Sequence, residues 1–362
     1  MASTSDSDKP SVSNVEDNRS RLCDEFAAIA GTDSAVAQCY LAENEWEMER
    51  ALNSFFEADL ERVFEVGNSP ERETSPKPKR QKVEEKPPGG DCIDLTEDSP
   101  ASTRKPSEED DNKLSLISWN VDGLDTDNLA ERARGLCSFL VLYTPDVVFL
   151  QELIPPYVQY LKKRAVSYLI IEAGEEGYFT GMMLKKSRVK FRESEIIPYP
   201  TTQMMRNLLI AQVDFKGQKF CLMTSHLESC KGHAEERMKQ LRVVMQRMRE
   251  APDDVTVLFG GDTNLRDTEV AKVGLPSAVC DVWERLGRQE HCRYTWDTKA
   301  NTNKTVPYIS RCRFDRVYFR PATKSGVQHL APDHMALVGL DKLDCGRYTS
   351  DHWGIYCSFS AG

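Results

Sequence analysis

Residues 113 to 362 are predicted to form an α/β domain of two mixed β-sheets packed face to face with helices outside, and three observations lead there. From Leu114 onward, apolar runs of strand length alternate with longer runs of helical spacing. Paired short runs, 208 to 215 and 220 to 223 joined around Lys216-Gly217-Gln218, read as antiparallel hairpins, which argues against an all-parallel sheet. Polar residues stand directly behind four apolar runs, the position from which strand ends of one sheet edge converge on a common site.

Along the chain, residues 1 to 18 are polar and expected to be disordered. Over 19 to 60, apolar residues recur at helical spacing: Leu22, Phe26 and Ile29, then Val36, Cys39 and Tyr40, then Met48, Leu52, Phe55 and Phe56. Gly31-Thr32-Asp33 and Asn44 punctuate them, so a small bundle of three short helices is predicted. Residues 61 to 112 lose periodicity, gain Pro, Ser, Glu and Lys, and read as a flexible linker. Beyond it, strands are predicted at 114–118, 147–150, 181–184, 208–215, 220–224, 255–259, 314–319 and 353–359. Helices are predicted at 129–143, 156–167, 233–249 and 278–286.

Length allows one domain of about 250 residues plus a small one. No run of roughly 18 apolar residues suggests a membrane span, and the polar N-terminus has no secretory pattern, so an intracellular protein is expected. The 11 cysteines are scattered and lack a CxxC pair; Cys221 and Cys357 lie in apolar runs, which suits buried thiols better than disulfides or zinc. The net charge of -10 divides unevenly. Residues 1 to 112 hold 13 Lys/Arg against 27 Asp/Glu, while the remainder holds 34 against 30. A mildly basic C-terminal domain is compatible with a polyanionic substrate, a metal offsetting local acidity.

The chemistry gathers behind the strands. Asn120 follows Leu-Ile-Ser-Trp, Glu152 follows Val-Val-Phe-Leu-Gln, His226 follows Leu-Met-Thr-Ser, and Asp262 follows Val-Leu-Phe-Gly-Gly. Singly, each has an ordinary reading as a turn former or surface histidine. Jointly, with Asn264 two residues past Asp262 and Ser350-Asp351-His352 near the end, they form the set that metal-assisted phosphoryl chemistry requires. Carboxylate and amide oxygens suit a hard cation such as Mg2+, with Mn2+ able to substitute, and imidazoles suit a phosphate.

At Trp119-Asn120, Leu150-Gln151-Glu152, Gly261-Asp262-Thr263-Asn264 and Ser350-Asp351-His352, the chain resembles the endonuclease/exonuclease/phosphatase superfamily over about residues 113 to 362. Within it, 118–124 (Ser-Trp-Asn-Val-Asp-Gly-Leu), His226-Leu227-Glu228-Ser229 and Gly261 through Leu265-Arg266 are similar to the branch that acts on 5'-tyrosyl DNA ends; Ser118 stands where the family often has Thr. The resemblance implies a four-layer sandwich and hydrolysis of the bond between a trapped topoisomerase II tyrosine and a DNA 5' end, leaving a 5'-phosphate for double-strand break repair. It implies that Glu152 ligates Mg2+ with Asp122 contributing, and that Asp262, positioned by Asn264, orients or deprotonates the attacking water. Asn120, His226 and His352 would stabilise the phosphorane, Asp315 would pair with His352, and Asp351 would sit beside the metal. Tyr178, Arg206, Ser229 and Arg266 are candidates near the phosphates, and Trp296 and Phe314 for an apolar wall against the terminal nucleotide of single-stranded DNA. A tyrosine phenolate, with a solution pKa of about 10, leaves without a strong general acid.

The 19–60 bundle resembles a ubiquitin-associated (UBA) domain through Ala-Glu-Asn-Glu-Trp-Glu-Met-Glu-Arg-Ala-Leu at 42–52, departing where Ala30-Gly31-Thr32 replaces the common Met-Gly-Phe; it implies ubiquitin binding. The basic cluster 77–82 resembles a nuclear localisation signal, and 92–98 (Cys-Ile-Asp-Leu-Thr-Glu-Asp) a SUMO-interacting motif. A monomer residing in the nucleus, with some in the cytoplasm, is expected. Competing readings are an abasic endonuclease or phosphoinositide phosphatase of the same superfamily, and an adaptor for ubiquitin and SUMO.

Overall fold

The computed structural model describes residues 12–30, 37–38, 41, 46–48, 51–52 and 112–361, in two compact units that lie within Met1–Gln81 and Lys82–Gly362. In the first, α1 (Val12–Ala30) buries Cys23, Phe26 and Ile29 along one face, with Ala37, Leu41, Ala51 and Leu52 also buried. The Arg19 guanidinium lies 4.7 Å from the Trp46 ring. The helix starts inside the stretch expected to be disordered, because extending a helix whose packed face has already nucleated it adds a hydrogen bond per residue at little further entropic cost. The basic cluster at 77–82 and the 92–98 motif fall outside the described residues.

In the second unit, the described residues form two six-stranded sheets and a small two-stranded one. The first sheet has the order β13-β14-β1-β2-β4-β3, with β1 Leu114–Asn120, β2 Val147–Leu153, β3 Tyr168–Glu172, β4 Phe179–Lys185, β13 Leu330–Val338 and β14 Gly354–Ala361. The second has the order β5-β6-β7-β8-β12-β9, with β5 Val189–Pro198, β6 Asn207–Phe215, β7 Gln218–Ser225, β8 Val255–Asp262, β9 Cys280–Asp281 and β12 Asp315–Arg320. Each sheet contains one parallel pair, β1/β2 and β7/β8; the other neighbours run antiparallel. A parallel pair needs a crossover. Here α2 (Leu129–Tyr143) joins β1 to β2, and α4 (Ala234–Glu250) joins β7 to β8. Helix α3 (Pro155–Arg164) follows β2, while α5 (Asp267–Val273) and the single turn α6 (Val282–Arg285) follow β8.

Strand alternation sorts the core into layers. Leu116, Phe149, Leu209, Leu222, Leu258, Val317 and Phe359 meet between the sheets. Leu208, Ile210, Met223, Val257 and Phe259 point the other way, onto Leu241, Val244 and Met248 of α4. On the first sheet's outer face, Trp119 meets Phe139 of α2 edge-on at 5.4 Å, and Tyr356 of β14 lies 4.9 Å from Tyr143. The stack is therefore helix, sheet, sheet, helix: the four layers expected. Cys221 and Cys357 are buried thiols. Among the described residues, no helix is long and apolar enough to cross a membrane.

Two predicted helices are shorter in the structure. The 278–286 helix shrinks to α6, because Cys280 and Asp281 pair with β12 and the Asp281 carboxylate caps the amides of Trp283 and Glu284. The 156–167 helix ends at Arg164, where the chain turns into β3. Strands β3, β5, β9 and β13 were not anticipated. All four are sheet edges.

Candidate active site

Strand direction brings the predicted residues together. In parallel register, Asn120 pairs with Gln151 and Thr224 with Gly260, so β1 and β2, and likewise β7 and β8, end on the same side. Asp315 opens antiparallel β12 opposite Asp262, and the 350–353 segment enters β14 beside the end of β1. Gln151 Nε2 donates to Thr224 Oγ1 across the sheets at 3.1 Å. The approaches are close enough to require glycine: a Cβ at Gly123 would overlap the Glu152 carbonyl, and one at Gly261 the Ser225 carbonyl. Asp122, Glu152 and Asn264 have φ of 50°, 57° and 52°, a left-handed conformation that side chains other than glycine adopt rarely. Such strain, about 1–3 kcal/mol per residue, persists only where surrounding bonds hold it.

Those bonds are on hand. Asn120 Nδ2 donates to Glu152 Oε1 at 2.9 Å and to Asp262 Oδ2 at 3.0 Å, while its Oδ1 accepts from the Asp122 amide at 2.9 Å. Asn120, expected to face the phosphorane, clamps the carboxylates of the two sheets to one another. Asn264 holds Asp262 through its backbone, its amide donating to Oδ1 at 3.1 Å, while its side chain donates to Leu227 O and Ser229 Oγ.

Two imidazoles flank Asp262 in opposite protonation states. Arg206 Nη1 donates to His226 Nδ1 at 2.9 Å, and a guanidinium cannot accept, so the ring proton sits on Nε2 and points at Asp262 Oδ2, 3.2 Å away. Burial, then the charges of Arg206 and His352, push His226 well below the usual imidazole range, so it is neutral. For His352 burial works against the charge, but Asp315, Asp262 and Asp351 outweigh it and hold its pKa well above that range. His352 Nδ1 donates to Asp315 Oδ2 at 2.8 Å, and its Nε2 lies 3.7 Å from Asp262 Oδ2. Asp262 itself is pushed up to about 7, by burial first and then by Asp315 and Glu152, against His352 and Asn120.

The other side of the site is acidic. Burial and then Asp351 raise both Asp122 and Glu152 above the ordinary carboxylate range, with Lys304 and Arg132 opposing at Asp122, and Asn120, His352 and Arg206 opposing at Glu152. Asp122 Oδ2 is buried without a hydrogen-bond partner. Neighbouring buried carboxylates, with Asp351 and Glu152 both repelling charge on Asp122, fit a divalent cation, whose charge would reverse the repulsion. Atoms of Glu152, His226 and Asp262 also lie within 4.8 Å of one another. His226 is a poor ligand there, since one nitrogen accepts from Arg206 and the other carries the proton.

The substrate candidates divide. Arg206 is buried, its guanidinium lies 5.0 Å from the Tyr178 ring and donates to Ser229 Oγ at 3.0 Å as well as to His226, and Tyr178, Arg206 and His226 line one cavity. Arg266, Phe314 and Trp296 form a half-buried row beside Asp262: the guanidinium lies 5.4 Å from the Phe314 ring, and that ring 5.8 Å from Trp296. Thr263 binds the Phe314 carbonyl and ties the row to the Asp262 loop.

Sequence reasoning missed Lys304 and Arg132. Arg132, fully buried, donates to the carbonyls of Val121, Asp122, Asp127 and Thr349, and so shapes the loop carrying Asp122. Its signal was present, since it occupies an apolar position of α2 between Leu129 and Leu136. Lys304 lies in a polar loop that offered none.

The Endonuclease/Exonuclease/phosphatase family model matches residues 117–352, and a UBA-like domain model matches 20–61. The chain is 64% identical over 371 residues to tyrosyl-DNA phosphodiesterase 2 of Danio rerio, spanning 96% of this chain and 100% of that protein. It is 54% identical over 349 residues to the Homo sapiens protein of the same name, spanning 94% and 92%. A crystal structure of the Danio rerio protein complexed with single-strand DNA product superposes with a TM-score of 0.67 at 74% identity, over 69% of this chain and 99% of that one.

Proposed function

Because the chain belongs to the endonuclease/exonuclease/phosphatase family, and within it to the tyrosyl-DNA phosphodiesterase 2 proteins, we propose that it is a divalent-metal-dependent phosphodiesterase that hydrolyses 5'-tyrosyl adducts from DNA ends. The observation that carries the mechanism is Asp262 Oδ2, which receives Asn120 at 3.0 Å and His226 at 3.2 Å while the His352 imidazolium stands 3.7 Å away.

Glu152, with Asp122 adjacent, would hold the metal, Mg2+ with Mn2+ as substitute, which supplies Lewis-acid charge to the phosphate oxygens. Asp262, raised toward neutrality, accepts the proton of the attacking water. Asn120 keeps Asp262 and Glu152 at fixed spacing. His352, held cationic by Asp315, faces the negative charge that grows on the phosphorane, and His226 offers a hydrogen there when its bond to Asp262 turns. The phenolate departs without a dedicated acid. Trp296 and Phe314 carry the terminal nucleotide on their faces, and Arg266 meets a backbone phosphate.

The physiological adduct we infer is a topoisomerase II remnant. The UBA-like segment supports ubiquitin binding through 19–60, the 92–98 motif supports SUMO binding, and the 77–82 cluster supports residence in the nucleus with some in the cytoplasm. Turnover of a 5'-phosphotyrosyl oligonucleotide beside abasic duplex and inositol phosphates tests the proposal: the tyrosyl substrate should dominate, and faster turnover of either other substrate would refute it.

A further inference from the structure

Asp122 and Asp125 face a cation that belongs to the chain itself. Lys304, in the 298–310 loop between β10 (Trp296–Asp297) and β11 (Arg311–Cys312), places Nζ 3.1 Å from Asp122 Oδ1 and 3.1 Å from Asp125 Oδ2. The seat is built rather than casual. Asp122 is 3% exposed and its second oxygen is unpartnered. Arg347 fixes the Asp125 carboxylate with bonds of 2.6 and 3.2 Å, and Arg132 holds the backbone carbonyls of both aspartates. The arm bearing the lysine is anchored as well. Asn301 Nδ2 donates to Ser350 O at 2.8 Å, and Asn303 exchanges bonds of 2.9 and 2.8 Å with the Tyr348 backbone. Although burial opposes its charge, Asp122, Asp351 and Asp125 keep Lys304 an ammonium.

Two carboxylates held at this spacing, with a spare buried oxygen, are what a second hard cation would take as ligands. With Arg347 already paired to Asp125, the ammonium completes the neutralisation of the two with three hydrogen-bond donors and a compact charge, but offers no exchangeable coordination position. We propose that Lys304 is a tethered cation which occupies the Asp122–Asp125 pair and excludes a second divalent ion, so that the site loads a single ion at Glu152. This rests on the assignment of Glu152 as metal ligand.

Counting Mn2+ ions by electron paramagnetic resonance on the full-length chain at pH 8 tests it without reference to turnover. The unaltered protein and Lys304→Arg should each bind one ion. Lys304→Met and Lys304→Gln should bind two, the second at least about tenfold more tightly than any further ion on the unaltered protein. Glu152→Gln should lose the first. The lysine side chain is 32% exposed, so both neutral variants should fold, as thermal melting will verify. One ion in both neutral variants would overturn the proposal and leave Glu152 as ligand. Two ions in the unaltered protein would overturn it as well, and none in any variant would overturn both readings.

Discussion

The two sheets deliver their carboxylates by the same device and into opposite surroundings. Glu152 leaves β2 and Asp262 leaves β8, each at the end of a strand in its sheet's parallel pair, and one Asn120 amide ties them together. Burial raises both. Around Glu152 the next influence is another acid, Asp351, whereas Asp262 has an imidazole N–H at 3.2 Å and an imidazolium at 3.7 Å. Neighbouring charge, not burial, separates their roles: one carboxylate calls for a cation from outside, and the other is supplied by the chain with an imidazolium and two hydrogen-bond donors.

The sharpest way to break this comparison is to neutralise each carboxylate in turn. Glu152→Gln and Asp262→Asn should each slow turnover of a 5'-phosphotyrosyl oligonucleotide by on the order of 10³-fold or more. Calorimetric titration should show Mn2+ binding lost only in the former; equal loss in both would erase the distinction.

Stability offers a second contrast. The folded pKa of Asp262, about 7, exceeds its ordinary value of 3.8, so between those pH values the folded state keeps a proton that the unfolded state releases. Stability contributed by the protonated form is present below about pH 4 and is lost as pH rises through 7. In metal-free buffer at pH 7.5, Asp262→Asn should therefore gain stability on the order of 1–4 kcal/mol in urea unfolding, and near pH 3.5 the gain should vanish. Equal destabilisation by Asp262→Asn at both pH values would contradict the assignment.

Smaller effects sharpen the Asp262 side. Arg206→Met removes the donor that fixes the His226 tautomer; we expect a loss of roughly tenfold to 100-fold in kcat, with the ring proton redistributing between the nitrogens in 15N spectra. A kcat loss with an unchanged tautomer would assign Arg206 a different role. Trp296→Ala should act on KM alone, raising it about tenfold for single-stranded substrate while kcat stays within twofold. A fall in kcat instead would place the ring in the chemistry.

What was legible in the sequence tracks burial. Central strands β1, β2, β7 and β8 are largely buried on both faces and read as mainly apolar runs, so all four were found, but β1, β2 and β8 run two or three residues further than predicted and carry Asn120, Glu152 and Asp262 within the strand rather than behind it. Edge strands were not found. β5 is exposed over nearly all its length, and β13 contains Pro332 and Asp333 and shifts register between Pro332 and His334. An edge strand takes its structure from a partner's hydrogen bonds, which leave no periodicity in its own side chains.

The order of Asn120, Glu152, His226, Asp262 and His352 behind apolar runs was enough to identify the chemistry, since strand burial and residue type are local properties. Protonation and exclusion are not. Whether an imidazole is neutral or charged depends on its burial and then on whether Arg206 or Asp315 lies beside it. The cation facing Asp125 comes from Lys304, 179 residues away. Only tertiary structure decides such contacts, because electrostatic energy follows distance in space, and the loops that set those distances show no pattern along the chain.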